Sequence, residues 1–219
     1  MNLCVIPARA GSKGLKDKNV RLLRGKRLIV YTIEAALNCQ FFDKIVVTSD
    51  SEEIRKIAKA FNVLFLERPG YLAGDDVTLA PVIAHALDNA EVEAVDTFKT
   101  VTTLQPTSPL RTASHVKEAF DKFTKERVDS LISVTEELHS VWKVDGGEVK
   151  SLYQPKVNRQ QAHPIYVCNG AIFISKRSYA HAGIRTGGKL TLYVMDKRSS
   201  IDIHTQEDLR LAEWYLQNA

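Results

Sequence analysis

"MNLCVIPARAGSKGLKDKN", residues 1–19, runs from a short apolar stretch into a segment holding two glycines and four basic residues. Asn2 to Ile6 has the length and apolar content of a buried strand. Pro7, Gly11 and Gly14 then break it. Glycine lets the backbone adopt positive φ and approach a ligand closely, and consecutive exposed N–H groups form an anion nest. In an open α/β sheet ligands bind beyond the carboxyl ends of the strands. Ile6-Pro7 is such an end, so the loop from Ala8 to Asn19 stands where a site is expected.

The pattern downstream agrees with a sheet of this kind. Leu28 to Leu37 has helical spacing, Lys44 to Thr48 reads as a β-branched strand, and a capped helix runs from Asp50 through Phe61. Val63 to Leu66 reads as a strand, Leu79 to Ala90 as a helix, Thr97 to Leu104 as a strand, Ser114 to Lys125 as a helix and Ser130 to Val134 as a strand. Strands alternating with helices of this length imply right-handed crossovers and a mainly parallel sheet. From Glu136 to Val167 the alternation lapses into an irregular insertion with a hairpin-like Gly146-Gly147 turn and no clear helix. Strands return at Ala171 to Ser175 and Leu190 to Met195. A last helix starts near Thr205, where "TQED" fits a capping box and Leu209, Ala212 and Leu216 form the buried stripe. No internal repeat or low-complexity tract is present. Asp75 and Asp76 read as caps for the helix that follows them.

Composition narrows the class. At 219 residues, 44% apolar and 26% charged, the chain is an ordinary globular protein with room for one large domain, or a domain plus an appendage. No apolar run approaches the ~20 residues that span a membrane. The start is too short for a signal-peptide core, so a cytoplasmic location is the expectation. Cys4, Cys39 and Cys168 have neither the number nor the spacing of a disulfide framework or a zinc site. Net charge is +4, but eight of the basic residues fall between Arg9 and Arg27 with Asp17 as the only acid there. Such a cluster attracts an anion. Nucleic acid is disfavoured, because stacking aromatics are lacking near the loop and Tyr31, the nearest downstream, sits in an apolar helix. Two familiar phosphate loops are excluded: the dinucleotide fingerprint needs a third glycine, and the Walker A loop needs Lys after Gly14, where Leu15 stands.

Four blocks, taken together, carry a resemblance. "IPARAGSKGLKDKN", "LQPTSPLR" (Leu104 to Arg111), "NGAIFI" (Asn169 to Ile174, preceded by "NRQQ") and "SIDI" (Ser200 to Ile203) occur in one order. They resemble the signature segments of the acylneuraminate cytidylyltransferases, the CMP-sialic acid synthetases, a family that includes CMP-legionaminate synthetases. The Kdo synthetases are cousins whose loop carries a Ser-Thr-Arg core and a nearby Pro-Gly-Lys, both absent here. The resemblance implies a three-layer, Rossmann-like nucleotidyltransferase fold. It implies a magnesium-dependent enzyme that transfers CMP from CTP to the anomeric hydroxyl of a nine-carbon α-keto sugar acid, releasing pyrophosphate. The acid is sialic, legionaminic or pseudaminic; the alternative is a synthetase with a different keto acid such as Kdo.

Carried over residue by residue, the resemblance places Arg9, Ser12, Lys13, Lys18 and Asn19 on CTP. Arg9 and Lys13 neutralise the triphosphate, Asn19 helps to read the base, and Arg68 lies near the cytosine. It places Gln105, Arg159, Gln160, Asn169 and Gly170 at the sugar acid, and Asp202 on magnesium. Arg9, Lys13, Gln105 and Asp202 form the catalytic set. It further implies a homodimer, with a nucleotidyltransferase domain of residues 1–135 plus 168–219 and a dimerisation arm of residues 136–167 reaching the neighbour's site. Two positions depart from the family pattern. His204 stands where many relatives have a second metal carboxylate, and neutral imidazole is a poor magnesium ligand. Val167 replaces an arginine found in some sialate enzymes, which favours a less polar acid such as legionaminic acid.

Overall fold

A seven-stranded sheet forms the body of the protein in its computed structural model, which describes residues 1–11, 14–139, 141–152 and 164–218. Along the chain the strands are β1 (Asn2–Pro7), β2 (Leu22–Leu23), β3 (Lys26–Arg27), β4 (Lys44–Ser49), β5 (Leu64–Glu67), β6 (Thr100–Leu104), β7 (Ser130–Glu137), β8 (Trp142–Asp145), β9 (Glu148–Ser151), β10 (Ile165–Lys176) and β11 (Leu190–Met195). The helices are α1 (Leu28–Leu37), α2 (Glu52–Ala60), α3 (Gly70–Ala73), α4 (Leu79–Ala94), α5 (Ala113–Glu126), α6 (Arg177–His181) and α7 (Gln206–Gln217).

The sheet order is β11-β7-β10-β6-β1-β4-β5. β1 lies between β4 and β6 and is parallel to both, and β4 is parallel to β5. β10 is antiparallel to both β6 and β7, while β11 is parallel to β7. The sheet is therefore mainly parallel, as the alternation implies, with β10 reversed. Among the described residues no helix lies between β7 and β10, and β10 pairs antiparallel with β7.

Helices cover both faces. Ile6, Leu104, Ile172 and Ile174 pack with Ile29 and Ile33 of α1 and Phe123 of α5 on one side. Leu3, Val5 and Val101 pack with Ile83, Ala86 and Leu87 of α4 on the other. This odd-even alternation along β1 gives the three-layer arrangement. A third cluster joins Leu15, Leu23 and Leu28 to Ile203, Leu209 and Ala212, tying the loop after β1 to α7. Thr205 caps α7 with a full capping box through Asp208.

Several boundaries differ from those read in the sequence. The second helix starts at Glu52 rather than Asp50, because Ser51 is its cap and Asp50 accepts a hydrogen bond from the Ala10 N–H instead. α4 runs four residues further than expected, to Ala94, and ends where Val95 turns to φ +52°. The described residues of the 136–167 segment hold more regular structure than their composition suggests. β8 and β9 pair across a turn whose Gly146 and Gly147 both have positive φ, +57° and +86°, the geometry that matches strand twist. β7 extends to Glu137 and β10 starts at Ile165, with Ile165 opposite Glu137 and Val167 opposite Thr135. The ladder thus crosses both limits assigned to the arm.

Candidate active site

The chain leaves the sheet at Pro7 and is pinned at once. The Ala8 N–H donates to the Thr48 carbonyl (3.0 Å) and the Ala10 N–H to Asp50 Oδ1 (2.7 Å). Gly11 takes φ +63°. At Gly14 the backbone passes so close to the segment before α7 that an added Cβ would lie 2.8 Å from the His204 carbonyl oxygen. Lys18 Nζ donates to the Ile203 carbonyl (2.7 Å), and Asn19, nearly buried, donates from Nδ2 to the Arg9 carbonyl (2.9 Å). Burial lowers the Lys18 ammonium below the usual lysine range, against the pull of nearby Asp202. The described flanks of the basic loop are therefore braced, residues 8–10 against Thr48 and Asp50 and residues 14–18 against Ile203 and His204.

Arg68 follows β5 and is only 4% exposed. Its Nη2 donates to the Thr48 carbonyl (3.0 Å), and its Nε has no hydrogen-bond partner among the described residues. Loss of water pulls this guanidinium down to about 10, with Asp50 opposing the shift. A buried donor left unsatisfied is costly, which makes it a ready contact for a ligand. Arg9 pairs with Asp75. Asp75 thus joins the site rather than capping α4, whose N-cap position is Thr78.

β6 delivers Gln105, whose Nε2 donates to the Gly170 carbonyl (2.8 Å). Gly170 has φ +73°, and a Cβ there would lie 3.2 Å from Gln105 Nε2 and 3.3 Å from Asp202 Oδ2. Only glycine brings β10 this close. Asp202 Oδ2 is hydrogen-bonded to His204 Nε2 (2.8 Å). Its Oδ1 is buried and has no hydrogen-bond partner among the described residues.

These segments converge at the carboxyl edge of the sheet on a cleft of about 380 Å3, lined by Arg9, Gly14, Lys18, Asn19, Arg68, Gln105 and His204 among others. Gly170 adjoins it through Gln105 and Asp202 through His204. Asn169 is one residue away but turned inward: its Oδ1 accepts from Ser133 Oγ (2.6 Å) and its Nδ2 donates to Ser200 Oγ (2.9 Å). That amide ties β10 to the segment after β11. Ser12, Lys13, Arg159 and Gln160 lie outside the described residues.

Asp50 and Asp75, which brace the loop, were missed as site residues because their contacts are long-range. Arg111 was also missed. It is 2% exposed and donates to the Ala171 carbonyl (3.2 Å) and Thr32 Oγ1 (2.8 Å), while Thr32 Oγ1 contacts the Gln105 carbonyl (3.4 Å). One buried guanidinium thus clamps the strand ends that carry Gln105 and Gly170. The only sequence signal was its place at the end of "LQPTSPLR".

The donor set suits a hard cation. Asp202 Oδ1 is a buried carboxylate oxygen with an unused lone pair, and magnesium takes oxygen ligands while keeping several from water or phosphate. No group of three or more His, Cys, Asp or Glu side chains stands ready for a metal among the described residues. Asp202 is the carboxylate that would hold such an ion, with His204 hydrogen-bonding its other oxygen.

Known proteins bear on this cleft. N-acylneuraminate cytidylyltransferase of Escherichia coli is 37% identical over 217 residues, 96% of this chain and 51% of that protein. Two Campylobacter proteins match nearly end to end. Post-translational flagellin modification protein B of Campylobacter coli is 33% identical over 98% of this chain and 94% of its own length. CMP-N,N'-diacetyllegionaminic acid synthase of Campylobacter jejuni is 32% identical with the same coverage. The chain thus spans about half the length of the Escherichia relative. Among solved structures, CMP:2-keto-3-deoxy-manno-octonic acid synthetase complexed with CTP superposes with a TM-score of 0.74 at 15% identity, covering 99% of this chain and 98% of that one. The 4-diphosphocytidyl-2C-methyl-D-erythritol synthase of Anaerococcus prevotii gives 0.69 at 16%, with the same coverage. At these identities the likeness is one of fold, and it is the fold of sheet and crossovers described above. The sequence profile of one family accounts for residues 3–218, nearly the whole chain, and by that match the protein belongs to the cytidylyltransferases.

Proposed function

We propose that this protein transfers CMP from CTP to the anomeric hydroxyl of a nonulosonic acid, releasing pyrophosphate and forming a CMP-sugar. The observation that carries this reading is the convergence of Arg9, Lys18, Arg68 and His204 on one cleft at the carboxyl edge of a cytidylyltransferase fold, with Asp202 hydrogen-bonded to His204 behind it. Triphosphate and sugar carboxylate repel, by about 4 kcal/mol for two unit charges ~4 Å apart at an effective dielectric of 20. Arg9, Lys13 and Lys18 offset this and stabilise the charge that develops on departing pyrophosphate. Arg68, with its unspent Nε, and Asn19 face the nucleotide; Gln105 and Gly170 face the acceptor. The sugar oxygen attacks the α-phosphorus, the bond to the bridging oxygen of pyrophosphate breaks, and the hydroxyl proton is released. Positioning dominates, because little covalent work falls to the protein. Asp202 would hold a magnesium ion, which when bound would supply charge neutralisation to the triphosphate and acidity to the attacking hydroxyl.

The acceptor is a sialic-type acid. Two features favour legionaminic acid within that class: Val167 at the arginine position, and near-complete coverage of the Campylobacter legionaminate enzyme. The arm, residues 136–167, makes a homodimer and brings Arg159 and Gln160 to the partner's acceptor side. In support, Trp142, Val144 and Val149 are 61–69% exposed on a two-stranded hairpin, a unit that is marginal without something to pack against. No described helix is long and apolar enough to cross a membrane. The reaction is assigned to the cytoplasm, where nucleoside triphosphates are available.

The test is pyrophosphate release by the purified protein, with CTP and magnesium, across sialic, legionaminic, pseudaminic and Kdo acceptors. Turnover that needs all three components supports the reading and ranks the acids. No turnover with any nonulosonic acid overturns it, and preference for Kdo moves the protein to the alternative acceptor.

A further inference from the structure

Thr32 of α1 and Arg111, at the end of the loop after β6, are buried polar groups that lie behind the cleft rather than in its wall. No carboxylate pairs with the Arg111 guanidinium among the described residues. Its ionisable neighbours are Cys4 and Cys39, thiols that burial pushes up and keeps protonated. Burial draws the guanidinium down to about 10, so it stays charged at neutral pH. A lone buried cation is costly, and an apolar residue would fill core space without that cost. What the guanidinium adds is several donors held in one rigid plane.

Those donors close a ring. Arg111 Nη2 donates to Thr32 Oγ1 (2.8 Å), and Thr32 Oγ1 donates onward to the Gln105 carbonyl (3.4 Å). Arg111 Nη1 donates to the Ala171 carbonyl (3.2 Å). The neighbouring Gly170 carbonyl accepts from Gln105 Nε2 (2.8 Å), which returns the ring to Gln105. Gln105 is thus held by its backbone and by its side chain. The ring stands where the ladder fails. The β7–β10 register shifts between Cys168 and Phe173, and neither Gly170 nor Ala171 is paired with β6 or β7. A bulge leaves backbone groups without ladder partners, and here Arg111 and Gln105 supply donors to both carbonyls.

The two halves of the cleft are held by separate contacts. The nucleotide half, Arg9, Lys18, Asn19 and Arg68, is braced through Thr48, Asp50 and Ile203. None of those hydrogen bonds involves Thr32 or Arg111. The acceptor half, Gln105 and Gly170, hangs on the ring. A misplacement of about 1 Å in a positioning group is enough to cost turnover.

We propose that Arg111 and Thr32 are positioning residues for the acceptor step: their hydrogen-bond ring sets Gln105 and Gly170 for the sugar acid and leaves nucleotide binding untouched. This rests on the nonulosonic-acid reading above. The experiment compares Thr32→Val, which keeps the shape and removes the hydroxyl, with Thr32→Ser, which keeps the hydroxyl and removes a methyl. Both disturb the core, so both should unfold at lower urea than wild type. Each is assayed with CTP, magnesium and the acid that wild type uses best, and CTP binding is measured by calorimetry. Expected for Thr32→Val is a loss of about 10-fold or more in kcat/KM for the acid, with CTP affinity within about twofold of wild type. Thr32→Ser should keep most of the turnover despite its lost packing. Arg111→Lys keeps the charge but lacks the planar fork that serves both acceptors, and should resemble Thr32→Val. The inference alone is overturned if Thr32→Val or Arg111→Lys is fully active, if Thr32→Ser falls as far as Thr32→Val, or if acid turnover and CTP binding weaken together. If wild type turns over no nonulosonic acid, the functional reading falls and takes this inference with it.

Discussion

A β-carbon on Gly14 would lie 2.8 Å from the His204 carbonyl oxygen, a backbone atom with nowhere to retreat. Gly14→Ala should therefore lift the loop away from residues 201–204, lengthening the Lys18–Ile203 hydrogen bond that joins them. The expected outcome is destabilisation of about 1–3 kcal/mol by urea titration, with a raised KM for CTP. An equivalent change at Gly11, where nothing lies within 4 Å of the added carbon, meets only the strain of its positive φ. Asp202→Asn keeps the side chain's shape and its hydrogen bond to His204 while removing the charge. Turnover should drop about 100-fold or more at any magnesium concentration, and thermal unfolding should hardly move. A variant with normal turnover would contradict the metal role proposed for Asp202. At this scale the sequence showed residue types but not their pairing. Arg9, Lys18, Asn19 and Gln105 stand in the four motif blocks and Arg68 outside them, and all five line the cleft. The Arg9–Asp75 pair spans 66 positions and the Arg111–Thr32 hydrogen bond 79, so neither leaves a local signal.

Between elements, Glu91 of α4 and Arg177 of α6 form a two-pronged ion pair, with Arg177 Nε and Nη2 each 2.7 Å from a carboxylate oxygen. Hydrogen bonds from Arg177 hold Glu91 below its ordinary value of 4.5. A lowered folded-state value means that the pair's stabilisation is complete above about pH 4.5 and is lost as pH falls through the folded value. Glu91→Gln should thus have a lower urea midpoint than wild type at pH 7, and the gap should narrow as both are titrated below pH 4.5. A gap independent of pH would mean that the pair acts through packing alone. Elements with strong periodicity were read well: α1 spans Leu28 to Leu37 as the spacing implied, and β11 spans Leu190 to Met195. β10 was read at less than half its length. Its Asn169-Gly170 pair looks like a turn, yet the strand absorbs it where the register shifts between Cys168 and Phe173. The irregularity that hid the strand is the one that brings Gly170 against Gln105 and Asp202.

For the whole molecule, the exposed face of the β8–β9 hairpin is the feature the single chain does not explain. If the arm joins two copies, Trp142→Glu combined with Val144→Glu should give a monomer by light scattering. It should also lose acceptor turnover while still binding CTP, since Arg159 and Gln160 would no longer reach the partner. A wild-type monomer with full activity would contradict the dimer. The mainly parallel sheet with helical crossovers was legible from alternation, because each crossover leaves a helix-length apolar pattern between strands. The Gly146-Gly147 hairpin within residues 136–167 was legible too, whereas the pairing of residues 136–137 with 165–166 in the β7–β10 ladder was not, because strand pairing at that separation leaves no local signal. Everything at this scale depends on the basic loop gripping a nucleotide at the sheet's carboxyl edge. The most direct test is Lys13→Ala: CTP binding by calorimetry and kcat/KM for CTP on protein verified as folded. The account predicts weaker binding and a loss of about 100-fold or more in kcat/KM; unchanged binding with undiminished CMP-sugar formation would contradict it.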